Sequence, residues 1–377
     1  MKNVLGLLMF IFLYTALQAQ IIIDHNCTKL DSIPVEWIET AKANLHVAYG
    51  HTSHGEQLTG GLVGLIGFKG SLYGITPVSV EGGLDLRDKP FEGANDLGDP
   101  TPYAWEAATR VYLNANPEIN VVMWAWCGQV SSATEQQIDD IYLAQMEGIE
   151  ADYPGVNFVY MTGHLDGSGL EGDLHQRNEQ IRNYCRVNNK ILYDFADIET
   201  YNPDGVYYGD KYPNDNCDYD YENDNIMDGN WAIEWQNTHP GEWYNCESAH
   251  SQPLNANLKA YATWWLWARI AGWDGSEGIS SIKKKGLVTA DKFSLGQNYP
   301  NPFNPATIIN YTIPVSNHVN LSVYNLLGQK VATLVDGIKA AGRHQAIWET
   351  TGFPSGVYLY SIEVDNYQDC KKMILIK

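Results

Sequence analysis

The chain has 377 residues, 24 Lys and Arg against 45 Asp and Glu, a net charge of −21 and 44% hydrophobic residues. So acidic a surface repels nucleic acid and anionic membranes at long range, which excludes both as partners. The imbalance is uneven, with ten basic and six acidic residues in 283–377 against 13 and 39 in 3–282, and this divides the chain into two units.

Residues 1–19 hold Lys2, an apolar run from Val4 to Leu13 and small or polar residues ending near Ala19. This is the layout of a secretory signal peptide, and its core is too short to span a bilayer. Later apolar stretches are interrupted by polar residues, so no transmembrane segment is expected.

Residues 24–275 have the length of one domain. The runs 45–50 (LHVAYG), 119–126 (INVVMWAW), 156–163 (VNFVYMTG) and 190–197 (KILYDFAD) read as buried parallel strands. Helices are expected between them. Residues 134–153 place Ile138, Ile141, Tyr142, Met146 and Ile149 near the 3.6-residue period, and 174–187 turn Ile181, Tyr184 and Cys185 inward. A last apolar helix ends near Gly272. The expected fold class is α/β, a three-layer parallel sheet flanked by helices, whose ligands bind beyond the carboxyl ends of the strands. Ser53, Gly128, Gln129 and His164 follow predicted strands and should share that rim.

The segment GHTSHG ends the first of these strands with His51, Ser53 and His54 between two glycines. A bland turn would use Gly, Asn, Asp or Pro. A serine needs a base, and the base an orienting acid, before it attacks a carbonyl. Glu247 and His250, three residues apart just before the last helix, are candidates for acid and base. His51, His54 and His164 are expected to line the substrate pocket. Metal-dependent hydrolysis is the rival chemistry, with His51 and His54 as ligands and His164, Asp166 and His250 completing the shell.

Residues 212–230 (YPNDNCDYDYENDNIMDGN) form an acidic loop. Oxygen clusters of this kind suit calcium, and Asp218, Asp220, Asp224 and Asp228 are the candidate ligands of a structural ion; catalysis requires no cofactor. Exported chains can form disulfides, and Cys217–Cys246, flanking this excursion, is the expected bridge. Cys127 reads as a buried thiol, whereas Cys27, Cys185 and Cys370 have no assignable partner.

Taken together, GHTSHG, WCGQVSS and NCESAHSQPLNANLKAYA resemble the SGNH (GDSL-like) hydrolase superfamily, across most of residues 42–272. The resemblance implies a flavodoxin-like sheet and a serine esterase with Ser53 as nucleophile, His250 as base and Glu247, where the family usually has Asp, as orienting acid. It also implies an oxyanion hole from the Ser53 backbone, Gly98 in ANDLGDP, and Gln129, where the family normally carries Asn. The 12 Trp and 24 Tyr suggest an acylated carbohydrate, such as an acetyl ester, as substrate. A non-catalytic glycan-binding surface protein is the alternative from another class.

Residues 276–291 are small, polar and charged, and read as a linker. Residues 292–377 alternate apolar and polar residues between Gly, Pro and Asn, the pattern of a small all-β, Ig-like sandwich. QNYPNPFNPATIINYTIP, YNLLGQKVATL, PSGVYLYSIEV and KKMILIK within it resemble the C-terminal sorting domain of the Bacteroidetes type IX secretion system. That resemblance implies export through the periplasm, a secreted or surface-attached product, and the type IX machinery as partner.

Overall fold

The computed structural model describes residues 20–76, 82–276 and 293–376, apart from 299, 314–316, 340, 341, 351 and 366. The signal peptide and nearly all of the linker lie outside the described residues. Two compact units divide between residues 280 and 281.

In the first unit the chain runs β1 (Ile22–Ile23), α1 (Val35–Asn44), β2 (His46–Gly50), α2 (Ser53–Lys69), β3 (Ile75–Thr76), β4 (Leu84–Asp88), α3 (Ala104–Ala115) and β5 (Val121–Trp124). It continues through α4 (Glu135–Ile138), a π-turn at Asp139–Leu143, α5 (Ala144–Asp152), β6 (Asn157–Met161), α6 (Asp173–Val187), β7 (Ile191–Tyr193) and α7 (Phe195–Glu199). A small β8–β9 ribbon (Asp218–Tyr219, Gly229–Asn230), α8 (Trp231–Thr238) and α9 (Pro253–Ile270) complete it.

Seven strands form one sheet in the order β1-β7-β6-β5-β2-β4-β3, every pairing parallel. Its five inner strands, β4-β2-β5-β6-β7, follow the 2-1-3-4-5 order of flavodoxin-type sheets. Alternation along the strands feeds a core on each face. Val47, Tyr49, Val121, Met123, Val159 and Met161 pack with α2 and α9, whereas Ala48, Val122, Trp124, Phe158 and Tyr160 pack with α3, α5 and α6. The three-layer reading therefore stands. The expected strand 190–197 stops at Tyr193, because the Asp194 side chain accepts from the Asp197 N–H and starts α7.

Helices α2 and α9 lie against each other because α2 carries glycines at the crossing. A Cβ at Gly61 would sit 2.1 Å from the Ala256 carbonyl oxygen, and one at Gly60 2.3 Å from that of Glu247. The loop before α9 is thereby pressed onto α2.

The expected Cys217–Cys246 bridge is absent. Both are free thiols with separate partners, Cys217 Sγ at 3.5 Å from Ser251 Oγ and Cys246 Sγ at 3.4 Å from Asn257 Nδ2.

The second unit holds two antiparallel sheets: β10 (Ser294–Leu295), β11 (Ala306–Ile313) and β14 (Gly342–Glu349), and β13 (Lys330–Lys339), β12 (Asn317–Asn325), β15 (Gly356–Val364) and β16 (Tyr367–Leu375). Ile309, Tyr311 and Trp348 of one sheet share a core with Leu321, Tyr360 and Met373 of the other, which makes a sandwich.

Candidate functional site

Ser53, Cys127 and His164 come together at the carboxyl ends of β2, β5 and β6. Ser53 is the first residue of α2. Thr52, its N-cap, makes no capping bond; its hydroxyl donates to Asp96 at 2.8 Å, leaving the first-turn amides of α2 uncapped. Buried Asp96 ties the neighbouring loops to this point by also accepting from the Gly98 and Asp99 N–H groups and from Gln129 Nε2. Gln129 Oε1 in turn accepts from the Cys127 N–H at 2.9 Å, which fixes the thiol's backbone.

These bonds draw two of the expected oxyanion donors toward Asp96, the Gly98 N–H and one of the two Gln129 Nε2 hydrogens. The uncapped amides of Ser53, His54 and Gly55 stand as donors at the rim.

The imidazole bonded to a thiol belongs to His54, rather than to His250. His54 Nε2 lies 3.0 Å from Asp215 Oδ2, and its Nδ1 lies 3.5 Å from Cys127 Sγ. A carboxylate only accepts, so Nε2 carries a proton and Nδ1 faces the thiol. Ser53 Oγ is 3.9 Å from the same sulfur. Cys127 is half-buried at the rim, which corrects its reading as a buried thiol.

Charges within this group reinforce one another. Burial opposes ionisation of His54, yet the bonds to Asp215 and Cys127 outweigh it and raise its pKa above the ordinary 6.5. Burial also opposes a Cys127 thiolate, but His54 and the Thr52 and Ser53 hydroxyls bring its pKa below 9.0. Asp215 is likewise held below 3.8, burial being overcome by the hydrogen bond from His54. Both shifts move the pair in the direction of a thiolate beside an imidazolium.

His164 stacks on His54 with ring centres 3.6 Å apart and planes 2° apart. Its Nδ1 donates to the Leu165 carbonyl at 2.8 Å, leaving Nε2 as a lone pair, and burial lowers its pKa. The two stacked imidazoles are thus shifted in opposite directions. His250 stacks on His54 as well, at 4.7 Å, from an exposed turn whose backbone is left-handed (φ 61°). Neither the His250 ring nor the exposed Glu247 carboxylate makes a hydrogen bond among the described residues, so the expected Glu247–His250 pair is not formed. Glu247 lines a groove of about 1030 Å³ with Thr59, Val63, Leu86 and Asp88. Ser53 opens on a smaller cleft of about 350 Å³ beside Phe91 and Asn95, and the Glu56–Lys89 ion pair borders both. His51 lines that cleft with both ring nitrogens committed, to the Thr52 carbonyl and the Asp88 carboxylate.

A buried ion pair supports the rim from below. Lys259 Nζ of α9 lies 2.6 Å from Glu199 Oε1 and also donates to Gln57 Oε1. Glu199 Oε2 accepts from the Leu165 N–H beside His164, and Gln57 Nε2 donates to the Ala249 carbonyl beside His250. Both histidines therefore hang from one pair of charges.

For a metal, the nearest set is His54, His164 and Asp215, with donor atoms within 4.8 Å of one another. Two parallel rings 3.6 Å apart cannot both hold one ion in their planes, as their lone pairs require, so this set does not fit a shared ion as it stands. The expected partners His51, Asp166 and His250 are not part of it. On the acidic loop the structure gathers Asp220, Glu222 and Asp228, whereas Asp218 accepts from Asn216 and Asn230, and Asp224 from the Ile226 N–H.

Sequence reasoning found the rim and its histidines but missed Cys127 and Asp215 as partners of His54. A signal existed for Cys127, since WCGQ follows a strand as GHTSHG does. Asp215 lay hidden among many acids in its loop.

Residues 297–377 match the family model of the secretion system C-terminal sorting domain. The tail is an export address. It indicates secretion or attachment to the cell surface, and implies the type IX machinery as partner. No helix among the described residues is long and apolar enough to cross a membrane.

No curated protein is significantly similar to the chain. Among solved structures, it is similar to an engineered protein (10% identity over 86% of this chain and 60% of that one, TM-score 0.19). An endo-beta-1,4-mannanase from Thermotoga petrophila (9%, 88% and 64%, TM-score 0.23) and a double mutant of the Cellulomonas fimi endo-beta-1,4-mannanase (10%, 95% and 100%, TM-score 0.21) are others. The chain spans less than two thirds of the length of the first two, and structural agreement this low carries no functional argument.

Proposed function

We propose that the α/β unit is an exported acyl-ester hydrolase whose general base is His54, oriented by Asp215. One observation carries this reading: an imidazole hydrogen-bonded to a carboxylate on one side faces a thiol on the other, at the uncapped start of a helix. His54 takes the nucleophile's proton and returns it to the leaving alcohol. Asp215 holds the ring and stabilises its charged form, and the first-turn amides of α2 are the donors for the developing oxyanion. The resemblance to SGNH hydrolases and the flavodoxin-type strand order lend support.

The substrate is read no further than an acyl ester. Trp105, Trp124, Trp231, Trp264, Trp267 and Trp273 are buried, so the tryptophan content reflects packing more than a sugar-binding platform. A serine esterase using Ser53 is the second reading, favoured by the place of Ser53 directly after β2 at the first position of α2.

Hydrolysis of p-nitrophenyl acetate by the mature protein tests the proposal. His54→Ala should lower kcat by about 10²–10⁴, and Asp215→Asn should lower it within the same range. Activity unchanged in His54→Ala, or lost in a chelator and restored by zinc, would overturn it. No turnover of any ester would favour the glycan-binding alternative.

A further inference from the structure

We infer that Cys127, rather than Ser53, is the nucleophile, and that the unit works through a thioester on Cys127 Sγ. This rests on the ester-hydrolase reading above. Both candidates lie at the same rim, 3.9 Å apart, but only the sulfur has a hydrogen-bonded base. The relay runs Cys127 Sγ, His54 Nδ1, His54 Nε2, Asp215 Oδ2, with separations of 3.5 and 3.0 Å. Ser53 Oγ makes no hydrogen bond with an imidazole among the described residues; its hydrogen-bond neighbour is the thiol itself. Two further features fit a resident thiolate. The backbone of Cys127 is anchored through Gln129 and Asp96. The start of the 17-residue helix α2 presents its positive end nearby.

The reaction balances with water as the only co-reactant. The Cys127 thiolate attacks the acyl carbon, forming C–S as the C–O bond to the alcohol breaks. The departing alkoxide takes the proton from the His54 imidazolium. Water then gives a proton to His54 and attacks the thioester; C–O forms, C–S breaks, and the carboxylic acid leaves with the thiolate–imidazolium pair restored. Ser53 positions the sulfur through its hydroxyl, as Thr52 positions Asp96.

The test uses the full mature chain. Iodoacetamide at mildly acidic pH should alkylate Cys127 well ahead of exposed Cys370, whose thiol is pushed up by burial and by Asp369. Ester turnover should fall in proportion to label on Cys127, located by peptide mass. Cys127→Ala should lose at least about 10³-fold in kcat, whereas Ser53→Ala should lose no more than about tenfold. Rapid quenching with a slow ester should show the acyl mass on the Cys127 peptide. Two results would overturn the inference while leaving the hydrolase reading intact: full turnover with Cys127 alkylated, or acyl mass on Ser53 together with an inactive Ser53→Ala. Absence of ester turnover in the unmodified protein overturns both. Because labelling needs no variant, a misfolded Cys127→Ala would not spoil the test.

Discussion

At the scale of single residues, the His54–Asp215 bond makes a pH-dependent claim on stability. His54 has a folded pKa above its ordinary 6.5, so its contribution is full below that pH and fades as pH rises through the raised value. Asp215 has a folded pKa below 3.8, so its contribution is present above 3.8 and fades as pH falls through the depressed value. Both act together between about 3.8 and 6.5. Asp215→Asn should therefore cost most stability near pH 5–6 and progressively less toward pH 9. Urea denaturation across that range checks it, and a pH-independent loss would mean that Asp215 serves its loop instead. The site was only half legible in the sequence. Ser53, His54 and His164 could be read because each directly follows an apolar strand, where topology fixes the rim. Asp215 could not, because it arrives from a loop 161 residues away from His54. Glu247 and His250 are left unpaired with one another for a related reason. Their spacing before α9 is what a triad loop needs, but the loop is pressed on glycines of α2 and faces Glu247 into the groove.

At the scale of elements, α9 supplies the only described lysine whose side chain is fully enclosed at the sheet rim. Removing one partner of a buried pair leaves an uncompensated charge. Lys259→Met or Glu199→Ala alone should therefore cost about 3–5 kcal/mol. The double variant Lys259→Met/Glu199→Met should cost less than the two summed, because no lone charge remains. Additive losses in chemical denaturation would contradict the pairing. Gly61→Ala should cost about 1–3 kcal/mol by driving α2 away from α9, measured in the same way. Strong apolar runs revealed β2, β5, β6 and α9 from the sequence, since continuous burial leaves a continuous signal. The short edge strands β1 and β3 left none: two residues show no period. Helix α6 was legible within a residue because Ile181 and Cys185 repeat at the helical spacing. The end of the 190–197 run was not, since the local bond from Asp194 outweighs its apolar pattern.

At the scale of the whole molecule, the two cores of the α/β unit share no residue with the core of the sandwich. Deleting residues 281–377 should leave the melting temperature of the α/β unit within about 2 °C, and should leave the protein in the periplasm. Scanning calorimetry and cell fractionation check the two halves of this statement. A truncated protein that still reaches the medium would refute the role of the tail. The free thiols described above bear on how such a chain is made. Six cysteines cross an oxidising compartment, and the native state joins none of them. Every disulfide formed before folding is thus a wrong one, and many pairings are open to the unfolded chain. Once folded, Cys27, Cys185 and Cys217 are buried beyond the reach of oxidants. Collapse of the chain ahead of oxidation therefore protects these thiols, and folded yield should fall as the host compartment becomes more oxidising.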